Sequence, residues 1–125
     1  MFTETPKANP ETPAVKKAGK YHALAEAIRR GCKISPVQCR RLTFVPPGEW
    51  GEELASCALG AAALAVGFEY DRANFTPSVF SYRLHRQFPE LQDRIEETLL
   101  MNKIIALNDD RGWSREKIAD WLDSL

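Results

Sequence analysis

The sequence predicts a mainly α fold: a compact bundle of about five helices around a central helix of small residues, with one short strand or hairpin near residues 40–45. Three observations carry this expectation. Apolar residues recur three and four apart from Tyr21 onward, helix-start chemistry stands at Thr76-Pro77 and at Ser114, and Cys57 to Phe68 is apolar nearly all round. The 125 residues are 44% hydrophobic and 27% charged, which suits one core and is too apolar for general disorder.

Residues 1–19 hold three prolines and almost no large apolar side chain, so a disordered tail is expected there, followed by a single helical domain over residues 20–125. Tyr21, Leu24, Ala25 and Ile28 mark the first helix, with Gly31 placed as its stop and Glu26, Arg29 and Arg30 on the other face. Ser35-Pro36 breaks helix, and Arg40 to Val45 has the β-branched and aromatic content of a short strand, closed by Pro46-Pro47-Gly48. No second strand signal of equal strength exists, so an extended segment or small hairpin over the core is expected.

Leu54 to Phe68 reads as a buried helix whose alanines and glycines let neighbours approach, ending at Gly67. The next helix starts with Thr76 as cap, Pro77 at its first position and Phe75 with Phe80 as a staple, and stacks Phe80, Leu84 and Phe88. Pro89 ends it and opens a long amphipathic run through Leu91, Ile95 and Leu99 to about Leu107. The last helix is capped by Ser114, with Glu116 in its first turn, Trp113 and Ile118 as a staple, and Ile118, Trp121, Leu122 and Leu125 on one face.

Charge is balanced overall but not along the chain. Residues 1–41 carry nine Lys or Arg against three Glu; the remainder carries eight against fourteen acidic residues. The longest apolar stretch, 12 residues, is short of the roughly 20 a bilayer requires, and the N-terminus has no secretory h-region, so a cytoplasmic protein without membrane contact is expected. Cys32, Cys39 and Cys57 are an odd set with no Cys-x-x-Cys pair, which argues against a secreted disulfide framework. A Cys32–Cys39 bridge, or zinc completed by His22 or His85, fits the composition, but the spacings match no zinc ribbon or finger.

Cys57 is the candidate nucleophile. With Ser56 as cap it would open a buried helix, where free N–H groups favour a thiolate; with a helix beginning near Trp50 it would lie inside and gain nothing. His85 would be the base, and Asn108, Asp109 or Asp110 the orienting group. The competing reading is a small buried thiol, a surface His85, and an Asn108-Asp109 turn that bonds backbone N–H groups before Gly112 at positive φ. The acidic turn lacks the alternating oxygen ligands of a calcium loop, and no phosphate loop or dinucleotide fingerprint is present, so no cofactor and no metal are expected.

Two blocks, Cys57-Ala58-Leu59-Gly60-Ala61-Ala62 and Leu107-Asn108-Asp109 followed by Gly112-Trp113-Ser114-x-Glu116-x-Ile118-Ala119-x-Trp121-Leu122, resemble a group of small bacterial and prophage-type proteins of unknown function. The resemblance covers about half of the folded part. It implies a small helical domain in which Asn108 or Asp109 meets the N-terminus of the Cys57 helix and satisfies its free donors. The expected role is a non-enzymatic interaction or regulatory module with a protein partner. The alternatives are a small cysteine-dependent enzyme using Cys57, and a nucleic-acid accessory protein using the basic residues up to Arg41.

Overall fold

In the computed structural model, which describes residues 19–125, the chain runs α1 (His22–Ile34), β1 (Val37–Gln38), β2 (Phe44–Val45), β3 (Ala55–Ser56), α2 (Ala58–Ala65), α3 (Pro77–Gln87), a 3₁₀ turn (Pro89–Gln92), β4 (Arg94–Ile95), β5 (Thr98–Leu99), α4 (Leu100–Asp109) and α5 (Arg115–Ser124). The class is mainly α, as expected. The tail expected over residues 1–19 lies, apart from Gly19, outside the described residues. Among the described residues no helix is long and apolar enough to cross a membrane.

α2 is the centre. Ala58 through Ala63 are all buried, and the most extensive helix contact is α1 against α2, followed by α1 against α5. Gly31 makes the first contact possible: a Cβ there would stand 1.8 Å from the Ala61 carbonyl oxygen. Gly31 is therefore not the stop it was expected to be. α1 continues to Ile34, and glycine sits inside it because two backbones meet there.

The strand at Phe44–Val45 is not alone. β3 pairs with it antiparallel and with β1 parallel, giving the order β1-β3-β2, with Gln38 and Phe44 both opposite Ser56. Each strand is two residues long, too short to write a period-two pattern. The segment from Leu54, expected as helix, thus begins as strand, and α2 starts only at Ala58.

A second correction concerns the run from Leu91 to Leu107. It divides into the 3₁₀ turn, the β4–β5 hairpin and α4. Glu96 and Glu97 make the hairpin turn at φ 54° and 68°, a region that disfavours residues carrying a Cβ. Tertiary bonds hold the break open: Asp93 accepts from Lys20 at 2.7 Å and from the Tyr21 hydroxyl at 2.9 Å, and its carbonyl accepts the Leu100 N–H at 2.7 Å.

The expected caps form. Thr76 Oγ1 accepts the Val79 N–H at 3.2 Å with Pro77 at the first position of α3, and Ser114 Oγ accepts the Lys117 N–H at 3.0 Å. Gly67 and Gly112 both take positive φ. On α5, Ile118, Ala119 and Leu122 are buried, while Trp113 and Trp121 are half-buried against the core.

Candidate functional site

The site grows from a gap in the small sheet. Cys39 donates its N–H to the Ser56 carbonyl at 3.1 Å, which extends the β1–β3 ladder by one residue and sets Cys39 opposite Cys57. A parallel ladder would next bond the Ala58 N–H to the Cys39 carbonyl. The Asn108 carboxamide occupies that place instead. Its Oδ1 accepts the Ala58 N–H at 3.0 Å, and its Nδ2 donates to the Cys39 carbonyl at 3.0 Å. Gln38 Nε2 donates to the same Oδ1 at 2.9 Å, and Nδ2 also reaches Asp109 Oδ1 at 2.8 Å. The side chain, 1% exposed, is a peptide-like splice between strands that have begun to part.

Cys57 caps α2. Neither expected position holds: Cys57 is not the first helical residue behind a Ser56 cap, nor does it lie mid-helix. Its backbone is extended, and its Sγ accepts the Gly60 N–H at 3.3 Å. Its own N–H donates to the Thr43 carbonyl at 3.0 Å. Gly60 is held to glycine here, because a Cβ would come within 2.7 Å of that carbonyl oxygen.

Cys57, Asn108 and Asp109 line one cleft of about 330 Å³. Its wall is aromatic: Phe44 lies 5.1 Å from the Tyr70 ring and 5.7 Å from that of Phe75, centroid to centroid. Leu42 and Ile105 stand at its rim, 52% and 38% exposed. Asp109 accepts the Arg41 N–H at 2.9 Å, and the Arg41 guanidinium reaches Asp110 at 3.3 Å.

Burial pushes the Cys57 thiol up, and the Gly60 and Leu59 amides only partly offset it. Cys39 is pushed up to about 12, chiefly by burial and then by the neighbouring Cys57, and Cys32 to about 11, chiefly by burial. All three thiols are free, and Cys39 neighbours Cys57 and not Cys32. Cys32 belongs to the main core, whereas Cys39 packs with Val45, Ala55 and Cys57.

The structure does not bring His85 to this cleft. It sits on α3 with Nε2 3.1 Å from Met101 Sδ. His22 bonds Asp123 at 2.8 Å, away from every thiol named above. His22, Glu26 and Asp123 hold their polar atoms within 4.8 Å of one another, but Arg29 already bonds both carboxylates, at 2.6 and 2.8 Å. That cluster is a closed ion network and not an open ligand set.

Arg115 is the residue sequence reasoning missed. Charged yet only 3% exposed, it donates to the carbonyls of Ser35 at 2.7 Å and Pro36 at 2.8 Å and to Ser56 Oγ at 3.0 Å. Its position directly after the Ser114 cap carries no local signal of burial. Gln38 and Tyr70 were likewise not singled out, and Phe75 only as a helix staple, since each reaches the site through tertiary packing.

No protein-family model matches this chain, and no curated protein or solved structure is significantly similar to it.

Proposed function

We propose that this chain is a non-enzymatic recognition module whose cleft takes an apolar side chain presented by a partner protein. One observation carries the reading: the polar groups at the floor of the cleft are spent on holding the fold, while its apolar rim faces solvent. Asn108 uses both ends of its carboxamide internally, and Asp109 holds the Arg41 amide. Leu42 and Ile105 are left open above an aromatic wall. A cleft of about 330 Å³ is at the small end of ligand sites and accommodates one large side chain.

The test compares immobilised wild-type protein with Ile105→Glu and Cys57→Ser in capture from a lysate of the native host. Ile105→Glu should fold with an unchanged melt and lose the captured protein, whereas Cys57→Ser should keep it. Equal capture by wild type and Ile105→Glu would overturn the reading.

Cysteine chemistry at Cys57 is the second reading, favoured by the Gly60 N–H on its sulfur. Burial of the thiol and the placement of His85 on α3 weigh against it. Alkylation by iodoacetamide should be slow near neutral pH and keep rising above the ordinary thiol range of about 8.5. A rate that levels off at lower pH would favour the enzyme. Of the basic residues up to Arg41, Arg29 and Arg41 are held in ion pairs, which weighs against a nucleic-acid role.

A further inference from the structure

We propose that Cys39 and Cys57 form a reversible intramolecular disulfide, closed by exchange with a small disulfide that enters the cleft. The ladder places them: the Cys39 N–H bond to Ser56 makes Cys39 and Cys57 the next facing pair after Gln38 and Ser56. Strands in a ladder lie about 4.8 Å apart, and because the Cys39 N–H bond to Ser56 is still made on the ladder side of the pair, the two strands part only after it, which keeps the pair near the Cα spacing of about 4.4–6.8 Å that disulfides span. Facing residues on adjacent strands also project to the same side of the sheet.

The side-chain contacts agree with that placement. The Cys39 thiol donates to the Leu42 carbonyl at 3.2 Å and reaches the Thr43 carbonyl at 3.6 Å. The Thr43 carbonyl also receives the Cys57 N–H at 3.0 Å, so one acceptor touches both cysteines. Cys57 packs directly on the cluster of Cys39, Val45 and Ala55. The two thiols differ in access: Cys39 is 1% exposed, while Cys57 is half-buried and lines the cleft.

That asymmetry assigns the roles. Cys57 loses its proton to solvent and its thiolate, supported by the Gly60 amide, attacks one sulfur of the incoming disulfide. A mixed disulfide forms on Cys57 and one small thiolate leaves. Cys39 then loses its proton and attacks Cys57 Sγ, which closes the Cys39–Cys57 bond and expels the second thiolate. Two protein thiols are oxidised and one small disulfide is reduced to two thiols, with the two protons taken up by the thiolates released. Because burial raises both thiols, the exchange is slow at neutral pH and accelerates as pH rises. The proposal does not depend on the cleft being a partner site.

The experiment uses the full chain with 2-hydroxyethyl disulfide at mildly alkaline pH, read by intact mass and tryptic mapping. Cys32, Cys39 and Cys57 fall on separate tryptic peptides, residues 31–33, 34–40 and 42–72, so each linkage is identified without ambiguity. The wild type and Cys32→Ser should both lose the mass of two hydrogen atoms, join the second and third peptides, and revert with dithiothreitol. Cys39→Ser should stop at the mixed disulfide on Cys57; if that variant does not fold, the wild type and Cys32→Ser decide alone. A mixed disulfide that persists on Cys57 in the wild type, a linkage to Cys32, or a Cys57 that reacts only after unfolding in urea would each overturn the proposal.

Discussion

Replacing Asn108 by alanine separates a side chain that splices the sheet from one that merely lines a cleft. Asn108→Ala leaves the Ala58 N–H and the Cys39 carbonyl buried without partners. Each orphaned group costs about 1–3 kcal/mol. The bonds to Gln38 and Asp109 lie at a part-buried edge where water can replace them, so they add little. The loss should be about 3–4 kcal/mol, a fall in Tm of roughly 15–25 °C for a domain of this size. Urea unfolding should show a lower midpoint with an unchanged slope. Asn108→Asp adds a sign test. Its carboxylate would face the Cys39 carbonyl and the Asp109 carboxylate, so its folded pKa is raised. The stability it retains is then fullest below the unfolded carboxyl value of about 3.9 and is lost as pH rises through the folded value. The variant should therefore lie closer to wild type at about pH 4 than at pH 8. An Asn108→Ala protein within about 1 kcal/mol of wild type, or an Asn108→Asp protein equal to it at pH 8, would refute the splice.

Four further outcomes are expected. Arg115→Ala should destabilise the fold by about 3 kcal/mol in urea titrations, and Arg115→Lys should recover only part of that, since an ammonium cannot span the Ser35, Pro36 and Ser56 acceptors as a planar fork does. Gly31→Ala should cost at least about 3 kcal/mol despite its better helix propensity, because the added methyl meets the Ala61 backbone at 1.8 Å; a neutral melt would mean that α1 and α2 are further apart than described. Although burial pushes the Asp123 carboxyl up, its bonds from His22 and Arg29 outweigh this and hold it below the ordinary carboxylate value. Its stabilisation is present above about pH 4 and lost as pH falls through the lower folded value, so Asp123→Asn should be less stable than wild type at pH 6 and converge on it in acid melts. Glu97→Gly should raise stability by about 0.5–1 kcal/mol by relieving φ 68°, measured as a higher urea midpoint.

What could be read from the sequence was local. Thr76 and Ser114 cap their helices through bonds to the third residue on, and Gly67 and Gly112 supply left-handed turns, all within a few residues of chain. The small-residue run became the central helix for an equally local reason, since little but close packing can use so many alanines together. What escaped was set by partners far away in sequence. Leu91, Ile95 and Leu99 are spaced for a helix, but Asp93 is tied to Lys20 and Tyr21, and the chain turns back on itself. Gly31 has the position of a stop and the function of a contact, which only Ala61 reveals. At the site, the resemblance implied a meeting of Asn108 or Asp109 with the Cys57 helix; Asn108 bonds the Ala58 N–H, whereas Asp109 holds the Arg41 N–H. Nothing implied that Cys39 would complete it, because a two-residue strand leaves no periodic trace.

Strands this short cannot satisfy their own backbone. A two-residue ladder ends almost where it begins, and the Ser35 and Cys39 carbonyls and the Ala58 amide just beyond it are buried, where a missing partner is expensive. The α4–α5 junction supplies the missing partners with side chains. Arg115, opening α5, takes the carbonyls of Ser35 and Pro36 just before β1 and the Ser56 hydroxyl on β3. Asn108, in the last turn of α4, takes the Cys39 carbonyl just after β1 and the Ala58 amide just after β3. The two side chains therefore clamp β1 at both ends from residues seven apart in sequence. That clamp fixes where β3 stops, hence where Cys57 caps α2, and hence the floor of the cleft. A ligand that binds the cleft only in this arrangement stabilises the whole domain by RT ln(1 + [L]/Kd), about 2.7 kcal/mol at a hundredfold excess over Kd. Loss of the Asn108 splice should weaken such binding as well as folding, because the same two hydrogen bonds hold both.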